Sequence, residues 1–184
     1  MTSEKEYTER TLIIIKPDGV ERRLVGKIIQ RFENVGLSLK GLKLVHADKE
    51  HVATHYADNE AWMLSVGAKA RKSAEEKGYV LSRTDLEHGE LVRNQLMDYL
   101  SKGPVVAAVL EGHGAVALVR KIVGATAPGD ALPGSIRGDY ALDTYKLADQ
   151  IQRAVYNVIH ASGSLEEASR EIALWFNASE LLHE

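Results

Sequence analysis

Residues 105–110, Val-Val-Ala-Ala-Val-Leu, are apolar without a break and follow Gly103-Pro104. Six residues are far too few to cross a membrane, and the glycine–proline pair marks an abrupt start. The run therefore predicts a central strand of a buried sheet. Thr11-Leu12-Ile13-Ile14-Ile15 is a second short, β-branched run that stops at Lys16-Pro17, and it predicts another buried strand. Leu37 and Leu39 alternate with Ser38 and Lys40, whereas Leu42 and Leu44 continue in the opposite phase. Gly41, at the change of phase, predicts a bulge within one strand.

Between these runs the period changes to that of a helix. Val25, Ile28, Ile29 and Phe32 share one helical face and Gly36 supplies an end; Val116, Val119 and Val123 do the same after the central strand. Asp48 is placed to cap a short helix carrying Val52 and Tyr56. A Gly- and Pro-rich loop spans 124–139, and a short strand through His160 leads into a last helix with Ser164 and Glu167 spaced as a capping box. The order reduces to βαββαβ. The expected fold is α+β, a ferredoxin-like antiparallel sheet with helices on one face.

Two stretches exceed that core. Residues 60–100 hold a charged helical segment, 68–77, and then a helix with Val92, Leu96, Tyr99 and Leu100 on one side. Residues 140–154 begin a helical stripe of Leu147, Ile151 and Val155. Both read as helical insertions in one domain spanning 1–184. The net charge of -3 gives no general attraction to nucleic acid or to a membrane surface, so a polyanion needs a local cluster of Lys and Arg. There are no cysteines, which excludes disulfides and thiolate metal sites. Met1 to Arg10 is polar, unlike a signal peptide, and a cytoplasmic location is the expectation.

The chemistry concentrates in Asn157-Val158-Ile159-His160-Ala161-Ser162-Gly163-Ser164. One imidazole ends an apolar run, small residues leave space beside it, and the helix that follows directs free N–H groups toward an anion. His160 is then a nucleophile or a buried structural histidine. Glu171 flanks the apolar stripe of the last helix; it is either a surface charge or the carboxylate that fixes the imidazole tautomer. Lys16 is a solvated strand-end lysine or a phosphate ligand. Arg120 and Arg137 bracket the loop stiffened by Pro128 and Pro133, with Thr126 between them, a set able to hold phosphate oxygens.

Other nucleotide signatures fail. Glu21 stands where a P-loop's first glycine belongs, and Ile28 replaces its Ser or Thr. Gly112-His113-Gly114-Ala115-Val116-Ala117 fits a loose dinucleotide pattern but lacks the acidic residue about twenty positions on, so tight-turn glycines explain it better. His51 and His55 share helical spacing but have no third ligand, and a surface position is expected.

Taken in order, Lys16-Pro17-Asp18-Gly19-Val20, His55-Tyr56, Gly124-Ala125-Thr126-Ala127-Pro128, Pro133 to Asp139, Asn157 to Ser164 and Glu171 to Phe176 resemble the nucleoside diphosphate kinases. The likeness covers residues 10–184 apart from the insertions. It implies transfer of the terminal phosphate of a nucleoside triphosphate, typically ATP, to a nucleoside diphosphate by a ping-pong route through phosphorylated His160. It also implies that Ser162 and Glu171 support the histidine, and that Lys16, Tyr56, Arg120, Thr126, Arg137 and Asn157 bind phosphates and sugar. Trp62 is the candidate for stacking on the base. Mg²⁺ is implied, held through the nucleotide's phosphates and not by a protein metal site, as is a homo-oligomer, hexamer or tetramer. The chain departs from the family pattern at Gly163, where many members carry aspartate, and at Val155-Tyr156 in place of Gly-Arg. No residue of the matched motifs is suited to read a base, which predicts broad tolerance.

Overall fold

The computed structural model describes residues 7–56, 59–76 and 78–182; Lys77, the last residue of the expected charged segment, lies outside them. Along the chain the elements are β1 (Thr8–Ile15), α1 (Pro17–Glu21), α2 (Val25–Glu33), β2 (Ser38–Val45), α3 (Lys49–His55), α4 (Glu60–Glu76), α5 (Asp85–Ser101), β3 (Val105–His113), α6 (Ala115–Val123), α7 (Ile136–Tyr140), α8 (Tyr145–Gln150), β4 (Ile159–Ala161) and α9 (Leu165–Trp175). The four strands form one antiparallel sheet in the order β2-β3-β1-β4. This is the expected α+β arrangement.

The apolar runs are continuous because both faces of the sheet are covered. Ile13, Ile15, Val106, Ala108 and Leu110 face Ile28 and Phe32 of α2 and Val119 and Val123 of α6. These are the two crossover helices, and they lie on one face as the βαββαβ order requires. Leu12, Ile14, Val105, Ala107 and Val109 point the other way, onto Val52 of α3, Leu100 of α5 and Trp175 at the end of α9. The second face is thus closed by α3, the first insertion and the C-terminal helix. Period-two alternation on a strand carries no signal when both sides are buried.

β1 and β3 extend beyond their apolar runs. Thr8 to Arg10 pair with His113 to Glu111, and Arg10 Nε lies 2.6 Å from Glu111 Oε2. An ion pair across the strands continues the ladder where apolar residues stop. The bulge expected at Gly41 is present, as a register shift between Leu39 and Gly41. Because β2 is an edge strand, Leu42 and Leu44 remain exposed, at 50% and 68%.

The first insertion is a helical hairpin, α4 against α5. A Cβ on Gly67 would fall 1.9 Å from the Asp85 carbonyl oxygen, and one on Gly89 would fall 2.1 Å from that of Met63. The two glycines therefore let the helix backbones touch. Arg71 fastens the turn, bonding Asp85 at 2.7 Å and the Arg83 carbonyl at 2.6 Å. The second insertion is shorter than its apolar stripe suggests. α8 ends at Gln150, Gln152 has φ +54, and Leu147 and Ile151 are exposed. The stripe does not form a buried helix face within this chain. Among the described residues, no helix is long and apolar enough to cross a membrane.

Candidate active site

β4 is only three residues long, and it places His160 opposite Ile14, at the C-terminal end of β1. A strained turn delivers it. Val158 has φ +58, a region β-branched residues avoid, and the Ile159 N–H donates to the Asn157 carbonyl at 2.7 Å. The Lys16-Pro17-Asp18-Gly19 segment is fitted beneath this turn. Lys16 N–H donates to the Val158 carbonyl at 2.8 Å, and Pro17 opens α1, where its missing N–H costs nothing. A Cβ on Gly19 would lie 2.8 Å from Ile15 Cγ2 and 3.0 Å from the Val158 oxygen. Glycine is needed there so that the turn can sit down. Strain of this kind persists only where the surroundings over-determine it, which marks the site as built for a purpose.

The imidazole of His160 is 19% exposed and its Nε2 lies 2.9 Å from Glu171 Oε2. Ser162, fully buried, donates its hydroxyl to the same carboxylate oxygen at 2.7 Å. Glu171 is therefore not a surface charge; it is 3% exposed. Burial alone would raise its pKa, but the charge and hydrogen bond of His160, with His55 and Ser162, outweigh burial and hold it at about 2. An ionised Glu171 accepts the Nε2–H of His160 and leaves Nδ1 as the nitrogen able to attack.

His55 corrects the expectation of a surface histidine. It is 3% exposed, its ring meets that of His160 edge-on with centroids 4.6 Å apart, and its Nδ1 accepts from Trp175 Nε1–H at 3.2 Å. Burial first, then the neighbouring His160, lowers its pKa to about 3, so it stays neutral. Accepting at Nδ1 puts its proton on Nε2, a buried atom without a hydrogen-bond partner. One ligand atom each of His55, His160 and Glu171 lie within 4.8 Å of one another. These two imidazoles and one carboxylate are already engaged with each other or with Trp175 and Ser162, and they lack the oxygen shell that Mg²⁺ takes.

Asn157 organises the polar half of the site. Its Oδ1 accepts from Lys16 Nζ at 2.8 Å, its Nδ2 donates to the Thr126 carbonyl at 2.9 Å, and its backbone N–H donates to the Tyr99 hydroxyl at 3.2 Å. Tyr99 in turn donates to Asp18 Oδ1 at 2.5 Å, and Lys16 Nζ lies over its ring, 4.8 Å from the centroid. Lys16 is not a solvated lysine. Burial, reinforced by Arg137 and opposed by Asp18, lowers its pKa to about 7. Arg137 is buried too, donating to the carbonyls of Gly124, Asn157 and Ile159. It braces both sides of the strained turn. Arg120 is exposed at the end of α6, 3.4 Å from the Ala161 carbonyl.

A cleft of about 360 Å³ runs outward from Asn157 and Thr126 between the two insertions, with Trp62 and Tyr145 among its lining residues. Tyr56 caps the end of α3 with its ring 4.7 Å from that of His55. Tyr156 stacks on Tyr99, at 4.7 Å and 25°, beneath Lys102. The expected capping box on α9 is altered. Ser164 accepts from Glu167 N–H, but the Glu167 carboxylate reaches back to the N–H of Gly163 at 2.8 Å. A Cβ at Gly163 would meet that carboxylate at 2.8 Å, so the N–H expected to await an anion already has one.

The structure thus gathers His160, Glu171 and Ser162 on one side, and Lys16, Asn157, Arg137 and the Thr126 backbone on the other. Tyr99, Asp18 and His55 join them. Their motif neighbours are visible in sequence, but only the fold brings α3, α5 and α9 together.

A family model described as nucleoside diphosphate kinase matches residues 9–64 and 85–181. The gap at 65–84 falls inside the first insertion. A nucleoside diphosphate kinase of Pyrobaculum aerophilum is 44% identical, over 95% of this chain and 98% of its own. A crystal structure of an NDP kinase from that organism superposes with a TM-score of 0.91 at 42% identity, covering 96% of this chain and all of the other. The Borrelia burgdorferi nucleoside diphosphate kinase, solved as a transition-state mimic with vanadate and ADP, superposes with a TM-score of 0.80 at 35% identity, covering 97% and 93%.

Proposed function

This chain belongs to the nucleoside diphosphate kinase family, and from that premise we propose that His160 carries the phosphoryl group. The enzyme transfers the terminal phosphate of a nucleoside triphosphate to a nucleoside diphosphate. In the first half-reaction Nδ1 of His160 attacks the terminal phosphorus, the bond to the bridging oxygen breaks, and the diphosphate leaves. The imidazole gains positive charge as the new bond forms. Glu171, ionised and 2.9 Å from Nε2, offsets that charge, and Ser162 keeps the carboxylate in place. The second half-reaction reverses these steps onto another diphosphate, so one site serves donor and acceptor in turn.

Lys16, Arg120 and Arg137 hold the phosphates, Asn157, Thr126 and Tyr56 the sugar and its neighbouring oxygens, and Trp62 the base. A cradle of three cations suits a group whose charge spreads over its oxygens at the transition state. The nearby carboxylates are committed: Asp18 to Tyr99 and Glu171 to His160 and Ser162. The residues therefore fit Mg²⁺ arriving on the nucleotide, where it neutralises and orients the phosphates. We read residues 1–184 as one catalytic domain in a cytoplasmic homo-oligomer, hexamer or tetramer; exposed Leu42 and Leu44 on the edge strand β2 support self-association.

The pairing of His160 with buried Glu171 is the observation that carries this reading. Initial rates with both substrates varied should give parallel double-reciprocal lines, and His160→Ala should take no label from terminally labelled ATP. Intersecting lines, or a labelled His160→Ala chain, would refute it.

A further inference from the structure

The second insertion is joined to Lys16 by a continuous row of side chains. At the outer end Asp143, 4% exposed, accepts from Nη1 and Nη2 of Arg153 at 2.6 and 3.2 Å, and from the backbone N–H of Tyr156 at 2.7 Å. The Arg153 guanidinium lies over the Tyr156 ring, with Cζ 4.2 Å from the centroid. Tyr156 stacks on Tyr99, and Lys102 Nζ is shared between the two rings, 3.9 Å from the Tyr156 centroid and 5.2 Å from that of Tyr99. At the inner end the Tyr99 ring carries Lys16 Nζ at 4.8 Å, while its hydroxyl donates to Asp18.

Three cations thus bind one pair of rings. A π face attracts a cation without accepting a directed hydrogen bond, so it steadies Lys16 Nζ without engaging its N–H donors. A carboxylate in the same place would pair with the ammonium and compete with a phosphate. Tyr156 and Asn157 are consecutive, and both grip Tyr99: Tyr156 by the face of the ring, and the Asn157 N–H by the hydroxyl at 3.2 Å. Two points fix the plane of Tyr99 as well as its position, and with them the place of a cation lying over that plane. Tyr156 is not among the described residues that line the nucleotide cleft, so its effect on the reaction passes through its neighbours.

We propose that Tyr156 is a positioning residue for phosphoryl transfer: stacked on Tyr99, it holds the ring that sets Lys16 against the transferring phosphate. This role rests on the reading above, in which Lys16 binds phosphate. Tyr156 stands at one of the places where the chain departs from the family pattern, so the stack belongs to this chain's own sequence.

Single-turnover phosphorylation of His160 tests this, by rapid mixing with saturating Mg²⁺-ATP labelled on its terminal phosphate. Tyr156→Leu keeps apolar bulk but has no π face, and should phosphorylate about tenfold more slowly, the scale of one lost aromatic stack. Tyr156→Phe keeps the ring and should remain within about twofold of the parent. In a Lys16→Met background Tyr156→Leu should cost less than about twofold, because the group it positions is already gone. General support of the fold would instead slow both backgrounds alike. A Tyr156→Leu rate within about twofold of the parent, a Tyr156→Phe rate as low as that of Tyr156→Leu, or an undiminished cost in Lys16→Met would overturn the proposal. If Tyr156→Leu does not fold, Lys102→Gln, a change at an exposed residue, decides: phosphorylation about threefold slower supports the stack, and a parent rate overturns it. A parent chain that takes no label at His160 would refute the kinase reading, and this role with it.

Discussion

Lys16 should take up a proton when nucleotide binds. It is buried, and burial first, then Arg137, lowers its pKa from the ordinary 10.5 to about 7. At 1.36 kcal/mol per unit, charging it in the empty site is opposed by roughly 5 kcal/mol. In that state stability rises with pH between about 7 and 10.5, where the unfolded chain binds the lysine proton and the folded one releases it. A phosphate set against Nζ reverses the balance and restores the charge. At pH 8 the free site is about nine-tenths neutral, so binding should take up ~0.9 proton per nucleotide. Calorimetric titration with Mg²⁺-ADP at pH 8, in buffers of different ionisation enthalpy, reads this number directly. Lys16→Met should lose the uptake. A solvated lysine would already be charged at pH 8 and take up nothing. Uptake below about 0.2 proton in the parent, or equal uptake in Lys16→Met, would mean that Lys16 is not a neutral lysine recharged by phosphate.

Glu171→Gln keeps size and helix propensity but neutralises the acceptor for His160 Nε2–H; phosphorylation of His160 should slow by about 10² with little change in nucleotide affinity. Rapid mixing with labelled ATP checks this, and an unchanged rate would make Glu171 a mere packing group. Tyr99→Phe removes the hydroxyl that Asp18 and Asn157 share, so denaturant unfolding should show a loss of roughly 1–3 kcal/mol. The same variant should phosphorylate more slowly because Asn157 and Lys16 lose a brace; parent-like stability and rate would contradict that. Gly19→Ala forces a Cβ against Ile15 and the Val158 carbonyl, and should cost roughly 1–3 kcal/mol in the same assay. An unchanged unfolding midpoint would show that the turn above it can yield.

Much of the fold was legible because its signals are local. The phase change at Gly41 gives the bulge, Asp48 accepts from His51 N–H at the start of α3, and Val116, Val119 and Val123 form the buried face of α6. What escaped depends on contacts between distant segments. Thr8 to Arg10 carry no strand pattern, yet they pair because Glu111 stands opposite Arg10. Coverage of both sheet faces was hidden because unbroken apolar runs do not say which side is buried. His55 looks like a surface residue on a short helix until Trp175, at the far end of the chain, closes over it. Tyr99 reads as one more apolar position on α5, and only the packing of α5 against α1 and the turn before β4 gives its hydroxyl two partners. For the same reason the family motifs point to Lys16, His160 and Glu171 but not to Tyr99.

If the proposed mechanism holds, the phosphoryl group passes through one nitrogen of His160. Glu171 holds Nε2 at 2.9 Å, which leaves Nδ1 to attack. The protein is incubated with a nucleoside triphosphate, freed of nucleotide, digested under conditions that preserve phosphohistidine, and mapped by mass spectrometry, with the isomer assigned by ³¹P NMR of the intact chain. Stoichiometric phosphate is expected on Nδ1 of His160, lost completely on adding a nucleoside diphosphate. Phosphate on Nε2, on another residue, or a phosphorylated chain that does not discharge would contradict the mechanism.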